Sequence, residues 1–343
     1  SMPQMAVAKS RAADFAVADT AAAATALATG QLVNRGSLAR SPEGQPLETL
    51  LAAARRAGRA TGMVSDTRLT DAATAAFFAR ASDTRDPSAL AVQLMEESAP
   101  DVMLGGGSAL LTPEGQGGAR RDGRDLLLEM RQRGFDIVRN KAELENTPGW
   151  RAPKLFGVFA EGDLAFAEDQ SRYPTQPRLA DLVRRAIELL QFNRKGYFLV
   201  VHAGLTGRAA ELGRGESLLR QYAEIDAAVS TALDYAGENA LIVVAGLTNT
   251  GGLRLNAFSF APDRGIALLG PSASGLPALT WSTAPNRSEN GPNSAAPEAI
   301  ASPSSRTQPV AEDVLILASG PATETIPNFH ALPELHAILK REL

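Results

Sequence analysis

The sequence contains no cysteine and only three histidines, His202, His330 and His336. The first absence excludes disulfides, thiolate zinc sites and cysteine nucleophiles, and it suits an exported chain as well as a cytosolic one. The second leaves few imidazoles for a metal centre, and no two of the three stand at ligand spacing. Aromatic residues are scarce, at 5%. Even so, 343 residues of which 44% are hydrophobic can bury a large core, which sets the chain apart from disordered and fibrous classes. No apolar run reaches the roughly 18 residues that cross a bilayer, and the opening "SMPQMAVAKS" lacks the apolar centre of a signal peptide. There is also no long block of one charge sign. A net charge of −4 and a pI near 5.6 give no basic field for nucleic acid or an anionic membrane surface.

What is present is an alternation of helical and β-rich stretches, which favours an α/β sheet protein over a bundle. "LETLLAAARRAGRATGMVSDT" reads as helix, glycine stop, strand and turn, and "SALAVQLMEESAPDVMLGGGSALL" repeats that order. The runs "YFLVVHA", "ALIVVAG" and "DVLILASGP" are continuously apolar, as expected of a parallel sheet covered by helices on both faces. Such sheets place their sites at the C-terminal ends of the strands. "LGGGSALL" lacks a Walker lysine and the GxGxxG spacing, so it reads as a tight turn after a strand. "ARRDGR" reads as a solvated face. Residues 283–309, rich in Pro, Ser, Asn and Ala without periodicity, read as a flexible polar insertion in a single domain spanning 1–343.

The stretch "ADTAAAATALATG", residues 18–30, admits two readings. One is an alanine-rich helix capped by Asp19 or Thr20 and stopped by Gly30. The other is a hydroxyl placed where the free N–H groups of a helix N-terminus form an anion site, a nucleophile if a metal or base activates it.

That stretch resembles the nucleophile signature of the alkaline phosphatase family, Asp-Ser-Ala followed by small residues and "ATALATG". Further stretches resemble the same family in order and approximate spacing: "ATGMVSDTRLTDAATAAFFAR", "DVMLGGGSALLTPEGQGGARRDGRDLLLEM", "KGYFLVVHAGLTGRAAE", "LIVVAGLTNTGGL" and "AEDVLILASGP". The resemblance implies a three-layer α/β fold, with a largely parallel central sheet covered by helices on both faces. It also implies hydrolysis of phosphate monoesters with two zinc ions and one magnesium ion, a periplasmic or secreted location, and dimerisation.

Carried over residue by residue, the resemblance puts Thr20 in the nucleophile position and Arg85 near that of a phosphate-clamping arginine. Arg85 also reads as a surface residue or as a partner of Asp19. Asp71 matches a metal-side aspartate, but Ala73 stands where a hydroxyl ligand is expected. His202 takes the place of a magnesium-binding glutamate, Gly207 that of a zinc-binding aspartate and Glu211 that of a zinc-binding histidine. Leu247 and Thr248 replace an Asp-His pair, and Pro309, or Arg306 in a shifted register, a late histidine. The family's first strand, with its Asp-Gly-x-Gly aspartate, has no counterpart in the sequence. The expectation is therefore a pseudophosphatase without metal cofactor, a binding or structural module that pairs with itself or a partner protein and keeps some affinity for phosphate or a phosphorylated small molecule. The alternative is an active phosphomonoester hydrolase that uses Thr20 with a reduced metal set, for which Asp71, His202 and Glu211 are the available ligands.

Overall fold

The computed structural model describes residues 2–96, 99–149, 154–256, 259–261, 265–267, 279–285, 298–328 and 331–343. Strands β2 (Ala60–Arg68), β3 (Val102–Gly106), β4 (Asp136–Val138), β5 (Leu155–Val158) and β6 (Tyr197–His202) form a parallel sheet in the order β4-β5-β3-β2-β6. Alternation along these strands divides their side chains between two layers. Met63, Met103, Phe156 and Val200 face one core, built with α1 (Thr20–Thr29), α2 (Leu50–Arg56), α3 (Ala72–Ala75), α4 (Pro87–Glu96) and α5 (Leu126–Gln132). Val64, Val102, Leu104 and Leu155 face the other, with α6 (Lys141–Glu145), α7 (Leu179–Leu190) and α9 (Gly215–Ala236). Helix α7 shows why: Leu179, Leu182, Val183, Ala186, Ile187 and Leu190 recur at helical spacing and are all buried. The short α8 (Gly204–Glu211) leaves the end of β6.

A second sheet holds β1 (Gln4–Ala8), β15 (Val314–Ser319) and β7 (Ile242–Ala245) in the order β1-β15-β7, and both of its pairings are antiparallel. This corrects the expectation that the apolar runs of β7 and β15 belong to a parallel sheet. An unbroken apolar run reports burial and not strand direction, and here even burial is one-sided: Ile316 is fully buried while Leu315 is 47% exposed. Strands β6 and β7 are end members of their sheets, and among the described residues no strand joins them.

Helix α1 lies between these bodies, which accounts for its alanine content. Ala21, Ala24 and Ala28 pack into the core of the parallel sheet. Ala22, Ala23 and Ala26 pack into that of the antiparallel one, together with Leu332, Leu335 and Ile338 of α10 (Leu332–Arg341). Buried on both sides at close range, the helix carries only methyl side chains at these six positions, while Leu27 packs against both cores. Asp19 caps it, accepting from the Ala22 N–H at 2.9 Å, and Gly30 ends it at φ 75°. A Cβ at Gly30 would come within 2.7 Å of the His336 ring, so both backbone conformation and space demand glycine. His336 donates from Nδ1 to the Leu27 carbonyl at 3.2 Å, and burial lowers its pKa. His330 lies outside the described residues.

The segment 283–309, expected as a flexible polar insertion, carries strands where it is described. Strand β12 (Leu279–Pro285) runs parallel to β13 (Glu298–Ser304) and antiparallel to β9 (Arg254–Leu255), while β14 (Pro309–Val310) pairs with β8 (Asn249–Thr250). Trp281, fully buried, anchors this region; residues 286–297 lie outside the described ones. Strands β10 (Ser259–Ala261) and β11 (Gly265–Ala267) pair antiparallel. The "ARRDGR" stretch is also corrected at one position. Arg120 is 3% exposed and donates to the Ser88 and Leu110 carbonyls at 3.2 and 3.0 Å while pairing with Asp122. Among the described residues no helix is long and apolar enough to cross a membrane.

Candidate functional site

The C-terminal ends of β2 and β6 lie side by side, with Ser65 in register with His202. Beyond β2 the chain turns through Asp71, which caps α3 by accepting from the Ala73 N–H at 3.3 Å. Beyond β6 it enters α8 at Gly204, where a Cβ would lie 2.4 Å from the His202 ring and 2.7 Å from Thr67. Only glycine lets α8 start this close to β2. His202 Nδ1 is 3.3 Å from both Ser65 Oγ and Thr67 Oγ1. Burial lowers its pKa; the Asp71 carboxylate opposes that shift and the Arg208 guanidinium adds to it.

One turn into α8, Arg208 occupies the centre of the site. Its Nη2 donates to Asp71 Oδ2 at 2.5 Å, its Nε to Asp163 Oδ2 at 2.9 Å and its Nη1 to Glu211 Oε2 at 3.1 Å. Asp163 also accepts from the Arg68 N–H at 3.0 Å and lies 3.3 Å from Arg68 Nε. Burial works against the charge of Arg208, but the carboxylates of Asp71, Asp163 and Glu211 outweigh it and raise its pKa, so the guanidinium stays charged. Next to this cluster, Asp66 is buried in β2 and accepts from the Leu205 N–H at 3.1 Å. Burial pushes its pKa up to about 7, against the pull of the Leu205 and Gly204 N–H groups at the start of α8.

The other sequence-selected positions gather nearby. Pro309 is in register with Thr250, and Thr248 Oγ1 lies 3.4 Å from Thr250 Oγ1. The Leu247 side chain packs against two hydrophobic cores. The Leu247 carbonyl accepts from Ser10 Oγ, and the Ser10 carbonyl accepts from the Ala18 N–H at 3.3 Å, which ties this loop to the start of α1. Thr307 Oγ1 donates to the Glu211 carbonyl at 3.0 Å and so ties the loop to α8 as well. Thr20 is the first residue of α1 and half-buried. Gly207 is exposed, with nothing within 4 Å of where a Cβ would be. The Arg85 side chain is 90% exposed and paired with Asp83 at 2.5 Å. Asp19 spends its second oxygen on the Gly36 N–H at 2.7 Å. The suggested Arg85–Asp19 pair is therefore not formed.

Asp71 and Glu211, two of the three ligands available for a reduced set, are both on Arg208, and the Nδ1 of the third, His202, faces hydroxyls. Among the described residues no group of three or more His, Asp or Glu side chains is arranged to hold a metal ion. Sequence reading missed Arg208, Asp163 and Asp66. The available signals were a carboxylate inside the otherwise uncharged run "TGMVSD" and an arginine three residues ahead of Glu211 on a helix.

Comparison with known proteins places this geometry. The family profile described as "Alkaline phosphatase" matches residues 1–268. The chain belongs to the alkaline phosphatase family. Alkaline phosphatase 4 of Bacillus subtilis (strain 168) is 28% identical over 251 residues, 71% of this chain and 52% of that protein. The repressible alkaline phosphatase of Saccharomyces cerevisiae is 30% identical over 248 residues, 66% of this chain and 44% of that protein. The chain thus spans about half the length of the curated relatives it matches. Among solved structures, alkaline phosphatase from the Antarctic bacterium TAB5 superposes with a TM-score of 0.79 at 18% identity, covering 99% of this chain and 88% of that one. Thermus thermophilus alkaline phosphatase gives 0.80 at 22%, covering 99% and 82%. The α/β alkaline phosphatase fold expected from the sequence is therefore present.

Proposed function

We propose that this member of the alkaline phosphatase family is a pseudophosphatase, a binding or structural module whose metal-dependent chemistry has been dismantled. The observation that carries the reading is the donor set. Leu247 and Pro309 offer no side-chain ligand atom, Gly207 has no side chain, and the carboxylates of Asp71 and Glu211 are engaged by Arg208. In such a site the Thr20 hydroxyl is almost wholly protonated at neutral pH and a weak nucleophile. The competing reading, an active phosphomonoester hydrolase using Thr20, is favoured by family membership alone. The two are separated by hydrolysis of an aryl phosphate. The pseudophosphatase matches its own Thr20→Ala variant and buffer, whereas the enzyme loses its turnover on that substitution.

Phosphate affinity is the ligand half of the proposal. The start of α1 at Thr20 supplies helix N–H groups, and Arg85 is an exposed guanidinium that can exchange Asp83 for an oxyanion. Phosphate at ten times its Kd is then expected to stabilise the fold by about 1.4 kcal/mol. The shift should vanish in Arg85→Ala with little change in the unliganded Tm; an equal response in both chains would dispose of the site.

The proposal extends to assembly and place of work, a homodimer or partner-bound subunit that is exported or periplasmic. What supports pairing is an apolar sheet face at Met5, Val7 and Leu315, which are 65%, 55% and 47% exposed, with Val7 and Leu315 in register. The outer edges of β6 and β7, which no strand among the described residues pairs, add to it. Sedimentation at tens of micromolar is expected to show more than the 36.0 kDa chain; a clean monomer with a cooperative melt would exclude pairing.

A further inference from the structure

We propose that Arg208 is a tethered cation, whose guanidinium does for this site electrostatically what a bound metal ion would do, so that the folded chain is indifferent to divalent metals because of this one side chain. The inference deepens the pseudophosphatase reading and rests on it. Three carboxylates from three separate segments converge on Arg208: Asp71 at the cap of α3, Asp163 in the loop after β5, and Glu211 at the end of α8. Like charges brought together in a partly buried place repel unless a cation sits among them. Asp71 is 12% exposed and Asp163 24%, so water alone does not screen them.

In the folded chain that cation is already in place and oriented. Each of the three guanidinium nitrogens donates to a different carboxylate, at 2.5, 2.9 and 3.1 Å. The planar fork of arginine spreads one charge over three acceptors, which an ammonium on a flexible stem does less well. Arg68 serves only Asp163, and its side chain is 37% exposed, so it cannot replace Arg208 at Asp71 or Glu211. Because the cation is covalently attached, neutralisation costs no binding equilibrium and survives any concentration of chelator. As they stand around the guanidinium these carboxylates are not arranged to hold a metal ion; on this proposal, removing the guanidinium frees their oxygens to close on a divalent ion.

The test compares the wild type with Arg208→Ala and Arg208→Gln, measuring Tm with EDTA and with millimolar Mn2+ or Mg2+, and metal stoichiometry by calorimetry. The wild type is expected to melt at the same temperature in all three solutions. Both variants are expected to melt lower in EDTA, to recover part of that loss with Mn2+, and to take up one ion per chain. Arg208→Lys, which keeps the charge, should show no gain from metal, and neither should Arg208→Ala combined with Asp71→Asn and Glu211→Gln, which removes acceptors. Folded Arg208 variants that ignore divalent ions overturn the inference while leaving the pseudophosphatase reading intact. So do variants that stay unfolded even with saturating Mn2+. Stoichiometric divalent binding by the wild type overturns the pseudophosphatase reading itself.

Discussion

Urea unfolding of Arg208→Ala in metal-free buffer at pH 7 is expected to show a loss of about 3 kcal/mol relative to the wild type, at the lower end of what removing one partner of a buried ion pair costs. Little of this is lost attraction. Most of it is the uncompensated charge left on Asp71 and Asp163, which are 12% and 24% exposed. Glu211, at 54% exposed, contributes little because solvent screens it. Two comparisons follow. Asp71→Asn should cost less than Arg208→Ala, since it removes a negative charge from a cluster with more carboxylates than arginines. Glu211→Gln should fall within the range of surface substitutions, roughly 0.5 kcal/mol. Equal losses for all three variants would mean that helix packing, and not charge, sets the effect.

Asp66→Asn should change the pH dependence of stability, and in a defined direction. In the folded chain the Asp66 pKa is about 7, against an ordinary value of 3.8. A carboxyl whose folded pKa is raised binds its proton more tightly when folded than when unfolded. Stability therefore falls as pH rises through the window from about 4 to about 7, and the deficit is complete above it. At 1.36 kcal/mol per pH unit the full deficit is about 4 kcal/mol, an upper figure. The asparagine side chain cannot ionise, and its oxygen can still accept from the Leu205 N–H that Asp66 uses. The variant is expected to match the wild type near pH 4 and to exceed its stability at pH 8. A wild-type-minus-variant difference that stays flat from pH 4 to pH 8 would show that Asp66 ionises as an ordinary carboxyl.

Much of the fold was legible because it rests on local rules. The caps of α1, the apolar stripe of α7 and the glycine turn after β3 each follow from residue types at short spacing, and the separate motifs in order brought in the family. Strand direction was not legible, since the runs of β7 and β15 carry no sign of which neighbour they pair with. Nor were the strands in 283–309, where a buried Trp281 just outside a polar stretch holds structure that composition alone does not suggest. At the site, reading by ligand position marked Gly207, Glu211, Leu247 and Pro309 but passed over Arg208. A helix arginine is solvated far more often than buried, and its acceptors Asp71, Asp163 and Glu211 stand 137, 45 and 3 residues from it along the chain. Asp163 sits in a loop without any motif, so only folding reveals its part in the cluster.

The central claim, that metal-dependent phosphatase chemistry is absent from this fold, is tested most directly by elemental analysis of the purified protein together with its aryl phosphate turnover. The expected result is no stoichiometric zinc or magnesium and a rate equal to that of Thr20→Ala. About two zinc ions per chain, as two-metal phosphoryl chemistry requires, with turnover abolished by Thr20→Ala, would contradict it.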